Sequence, residues 1–130
     1  MIEWTGVLAV LGQPSTGGLT LAVPERLLSR PLPLPLFDPA GHPVGAITHL
    51  SIHADQLRAE GTVRNGLLTP GRPMPVTIGV HTGDHGADHA TPTPALYAPT
   101  WRLESAQLLT GLNDTPPWPQ ALIRMKEDTP

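Results

Sequence analysis

Leu57-Arg58-Ala59-Glu60-Gly61-Thr62-Val63-Arg64 alternates apolar or small residues with polar ones at strict period two. That pattern puts Leu57, Ala59, Gly61 and Val63 on one face and Arg58, Glu60, Thr62 and Arg64 on the other, as a half-buried strand requires. Just before it, Val44 to His53 (VGAITHLSIH) is rich in β-formers, and Ala54-Asp55-Gln56 between the two predicts a hairpin with a short loop.

Outward from this hairpin the chain reads as β throughout. Glu3 to Leu11 predicts a strand, Gly12 to Gly18 (GQPSTGG) a turn, and Leu19 to Val23 the partner strand of the first. Pro24 to Ser29 predicts one short helical turn, with Pro in a favoured first-turn position and Glu25 behind it. In Pro31 to Leu36 (PLPLPL) the leucines face one way and alternate residues lack a backbone donor, which predicts an edge strand or an extended strap packed through its leucines.

Met74 to Val80 (MPVTIGV) predicts a strand with Met74, Val76, Ile78 and Val80 inward and Thr77 and Gly79 outward. Thr82 to Pro99 predicts a long loop, and Trp101 to Leu109 and Ala121 to Met125 the last strands. With 17 Pro and 13 Gly among 130 residues, long helices have no room, while 39% apolar residues are enough for one ordered core. The expectation is a single mainly β domain over residues 1–130, with one or two short helical turns.

Composition narrows function. There is no cysteine, so thiol nucleophiles, disulfides and cysteine zinc sites are excluded. A net charge of -3 with eight scattered Lys and Arg offers no field for phosphates, so no nucleic-acid partner is expected. No apolar run reaches membrane-span length and Met1-Ile2-Glu3-Trp4 does not open like a signal peptide, so no membrane partner is expected either.

Several segments in order resemble the capsid maturation (prohead) protease family of tailed bacteriophages. They are Gly6-Val7-Leu8-Ala9-Val10, Leu32-Pro33-Leu34-Pro35-Leu36, Gly41-His42-Pro43-Val44-Gly45-Ala46-Ile47, the hairpin ending Leu57-Arg58-Ala59-Glu60-Gly61, and Pro75-Val76-Thr77-Ile78-Gly79-Val80. Ala106-Gln107-Leu108-Leu109 and Pro117-Trp118-Pro119-Gln120-Ala121 complete the series. The resemblance implies a β-barrel related to herpesvirus assemblin. It also implies a general-base histidine at His42, a nucleophile at position 77, and Glu104 as the acid that orients the histidine.

Position 77 departs from that pattern, because the family carries serine where this chain has Thr77. A methyl group on the carbon bearing the hydroxyl restricts its rotamers on a strand, and a displacement of about 1 Å can cost on the order of a hundredfold in rate. Internal threonine also lacks the free amine that activates N-terminal threonine nucleophiles. The chain further ends at Pro130, where family members commonly continue into a helical region.

The expectation is therefore a virion structural protein, a minor capsid or decoration protein without proteolytic activity. It would be made in the host cytoplasm, bind the major capsid protein, self-associate in some arrangements, and use no cofactor. Trp4, Trp101 and Trp118 are candidate contact anchors, since tryptophan dominates many interfaces. The alternative is an active endoprotease acting on coat or scaffold protein through Thr77, or through Ser51 or Ser105 in its place. A third reading comes from His81, Asp84, His85, Asp88 and His89, whose imidazoles and carboxylates are a plausible metal set. Gly83 and Gly86 break helical spacing there, and a polar loop with exposed histidines is the plainer account.

Overall fold

A computed structural model of the chain describes residues 1–24, 29, 31–81, 96–98, 101–109 and 116–126, with only the backbone of 96–98. Among the described residues nine strands follow one another: β1 (Ile2–Val10), β2 (Leu19–Leu21), β3 (Leu34–Phe37), β4 (Pro43–His53), β5 (Gln56–Val63), β6 (Met74–His81), β7 (Leu96–Ala98), β8 (Arg102–Leu108) and β9 (Leu122–Met125). No helix occurs among the described residues, and the helical turn expected at Pro24–Ser29 falls largely on residues outside them.

Seven strands close into a barrel in the order β1-β5-β4-β3-β8-β6-β9, and β9 returns to β1. Closure pairs every strand on both sides, so the long β4–β5 hairpin presents no open edge. The hairpin is as the alternation predicts, with the loop tightened to Ala54-Asp55. Leu57, Ala59 and Val63 are buried, and Arg58 is exposed on the opposite face.

Inside the barrel lie Trp4, Leu8, Leu34, Leu36, Ile47 and Leu103, all at most 2% exposed. Each such aliphatic side chain stabilises the fold by roughly 1.5–3 kcal/mol through its removal from water.

Two pairings differ from expectation. β3 is an interior strand, antiparallel to β4 and parallel to β8, rather than an edge. Its one proline, Pro35, is tolerated because the β8 ladder starts only at Leu36, so no donor is missing from that side. Leu34 and Leu36 pack inward as their spacing predicts, whereas Leu32, before the strand begins, is exposed. β2 pairs in parallel with β7 rather than with β1. Both sides of β1 are already occupied, by β5 and β9, which leaves β2 only the hydrogen bonds of a turn: Gly12 N donates to Leu21 O (2.7 Å) and Ser15 N to Leu19 O (2.8 Å).

The three tryptophans are buried rather than available as contact anchors. Each indole N–H donates to a backbone carbonyl: Trp4 to Thr62 (3.0 Å), Trp101 to Ala22 (2.8 Å) and Trp118 to Gln13 (3.0 Å). A large apolar body with one satisfied donor suits a core position next to a strand or turn. Trp101 and Trp118 thereby hold the segment around β2 onto the barrel.

Candidate functional site

The family's pattern directs attention to the loop between β3 and β4 and to the outer faces of β6 and β8. Asp38-Pro39-Ala40-Gly41-His42 is a turn closed by its own first side chain. Asp38 Oδ1 accepts from Ala40 N (2.9 Å) and His42 N (2.8 Å), while Asp38 N donates to His42 O (2.9 Å). Donation from the His42 backbone, above all, holds the Asp38 carboxyl below the usual carboxylate range; desolvation opposes it, and Ala40 N–H and the His42 ring add to it.

His42 caps this turn with its ring 76% exposed and Nδ1 3.5 Å from Asp38 Oδ2. The carboxylate beside the His42 ring is thus Asp38, four residues earlier. Sequence reasoning missed it, although an Asp followed by Pro, Ala and Gly is the composition of a side-chain-closed turn.

Thr77 lies midway along β6 and faces outward, because its neighbour Val76 fills the core. Its cross-strand partner is Gln107 of β8. Gln107 in turn pairs with Phe37, and Phe37 with Pro43, the residue after His42. Thr77 and the base of the His42 loop therefore stand three inter-strand steps apart, about 14 Å along the sheet.

Gln107 occupies the ground between them. Its Nε2 donates to Asp38 O (3.1 Å) and Pro39 O (3.3 Å), which fixes the His42 loop against β8. The register thus joins His42, Asp38, Gln107 and Thr77 in one outer patch, with an amide rather than an imidazole next to the threonine.

Glu104 sits at the bulge where β6 and β8 shift register, and makes an ion pair with Arg102 Nη2 at 3.4 Å. It lies three residues up β8 from Gln107, about 10 Å from that end of the patch. Ser105 stands opposite Gly79, with its Oγ where a side chain at Gly79 would begin, 2.6 Å from that position. Ser51 is exposed on β4 opposite Arg58, eight residues along from Pro43, or roughly 26 Å.

His81 ends β6 opposite Arg102 and is exposed. His85 and His89 lie outside the described residues, as do Asp84 and Asp88. Among the described residues no group of three or more His, Asp or Glu is placed to hold a metal ion, and no helix is long and apolar enough to cross a membrane.

Comparison with known proteins returned no matching family model, no matching curated protein and no matching solved structure.

Proposed function

We propose that this chain is a bacteriophage virion structural protein, a minor capsid or decoration protein that binds the major capsid protein on a prohead-protease-like barrel without cleaving it. The observation that carries the reading is the position of Gln107. Its side chain ties the Asp38 and Pro39 carbonyls of the β3–β4 loop to β8 while its backbone pairs with Thr77, so an amide holds the place beside the hydroxyl that a general base would need. A general base must come within about 3 Å of the proton it removes. What supports binding in its place is a closed barrel with a turn, Asp38–His42, tied at its surface by the two bonds to Asp38 Oδ1. Function resides in such sites rather than in the fold.

The test is to incubate the purified chain with assembled coat protein, both as it stands and as Thr77→Ser, which restores the family's nucleophile. The reading expects co-sedimentation of both proteins with the shell and coat protein of unchanged length. Coat or scaffold protein trimmed by the native chain, with cleavage lost in Thr77→Ala and His42→Ala, would establish the endoprotease instead.

A further inference from the structure

On the opposite side of β1 from its buried face, a cleft of about 290 Å³ opens among Thr5, Val7, Arg58, Pro73, Leu122 and Arg124. The register explains its charge. Val7 of β1 pairs with Arg58 of β5, and Thr5 pairs with Arg124 of β9, so two arginines flank β1 from either side, staggered by two residues. β9 can lie this close because position 6 is glycine: a Cβ there would fall 2.6 Å from the Ile123 Cα.

Arg58 is held from behind by Gln56, whose Oε1 accepts from Nε (3.1 Å) and Nη2 (2.9 Å). That fork leaves the Nη1 hydrogens and one on Nη2 to donate elsewhere. Among the described residues no carboxylate lines the cleft. On this face Glu60 pairs across from Thr5 but is engaged by Lys126 Nζ at 3.4 Å, and Glu3 lies two residues before Thr5 on β1. Two guanidinium groups thus converge on a cleft with apolar walls, in a chain whose net charge is -3.

We propose that this cleft binds an acidic peptide segment of a partner protein, with a carboxylate side chain between Arg58 and Arg124 and an adjacent apolar side chain against Val7, Pro73 and Leu122. Arginine presents paired donors that match a carboxylate, and charge-assisted bonds of this kind are stronger than neutral ones. The apolar wall is what separates a peptide from a bare anion. This inference stands independently of whether the partner is a coat protein.

The experiment titrates the full chain, followed by amide NMR, with the blocked peptide Ac-Gly-Leu-Glu-Leu-Glu-Gly-NH2, its Gln counterpart, sodium acetate and inorganic phosphate. The expected result is saturable shifts at Thr5, Val7 and Arg124 with the Glu peptide, and binding weaker by about tenfold or more with the Gln peptide. Arg58→Gln and Arg124→Gln should each weaken the Glu peptide by about fivefold or more while the remaining spectrum stays folded, and Arg64→Gln, an exposed arginine outside the cleft, should leave it unchanged. Equal binding of the Glu and Gln peptides, shifts that map elsewhere, or no saturation would overturn the proposal. Acetate or phosphate binding as tightly as the peptide would overturn the peptide assignment.

Discussion

Gln107 Nε2 donates to the carbonyl oxygen of Asp38 at 3.1 Å, so the strand opposite Thr77 and the loop that carries His42 are joined by one side-chain amide. This contact spans 69 residues of sequence. It converts a short turn, already closed by Asp38, into a fixed part of the barrel surface.

Gln107→Ala should therefore loosen the Asp38–His42 turn and lower stability by about 1 kcal/mol, the usual net contribution of such hydrogen bonds. Urea unfolding measures the loss, and faster exchange of the His42 and Gly41 amides locates it. An unchanged midpoint together with unchanged exchange would mean that the amide does not hold the loop.

The turn should also respond to acid. Asp38 has its carboxyl lowered in the folded state, so its contribution is complete above the unfolded value near 3.8 and is lost as pH falls through the folded value below it. The His42 and Ala40 amide shifts should titrate together, with a midpoint below 3.8. A midpoint at or above that of an unstructured aspartate would contradict the two backbone bonds to Oδ1.

Gly61 faces the barrel interior between β4 and the Trp4 ring. A Cβ there would run into the Ala46 carbonyl oxygen and fall 2.9 Å from Trp4 Cε2. Gly61→Ala should cost about 2–3 kcal/mol by forcing apart backbone that cannot give. Thermal unfolding together with the near-ultraviolet signal of Trp4 reads both the loss and its location. A variant as stable as the parent would show that β4 and β5 can spread.

Ala54 in the β4–β5 loop has φ of 55°, the left-handed region that costs a residue with a Cβ about 1 kcal/mol. Ala54→Gly should relieve this and leave the chain equally stable or more stable by up to about 1 kcal/mol, since glycine also loses more freedom on folding. A decrease in melting temperature would mean that the side chain makes a compensating contact.

The alternation of LRAEGTVR and of MPVTIGV was enough to locate β5 and β6, because a half-buried strand leaves period two in its own residues. Leu34 and Leu36 of PLPLPL pointed inward for the same reason, but Leu32, which precedes the strand, did not. Partners were less legible. That β3 lies between β4 and β8, and that β2 joins β7, depends on which sides of distant strands are already filled, and no local pattern encodes that.

Burial of Trp4, Trp101 and Trp118 was hidden because tryptophan serves cores and interfaces alike; only the carbonyls of Thr62, Ala22 and Gln13 decide between them. In the candidate site, His42 and Thr77 were singled out through the family resemblance alone. Asp38 and Gln107 were not, since their roles arise from a turn and from a register of strands far apart in the chain.

The central claim, a shell-binding protein rather than a protease, is tested most directly by counting copies of this chain per coat protein in purified virions by mass spectrometry. The account predicts many intact copies in the mature particle, on coat protein whose length does not depend on His42 or Thr77. Absence from mature particles, together with coat protein that is trimmed only when both residues are present, would contradict it.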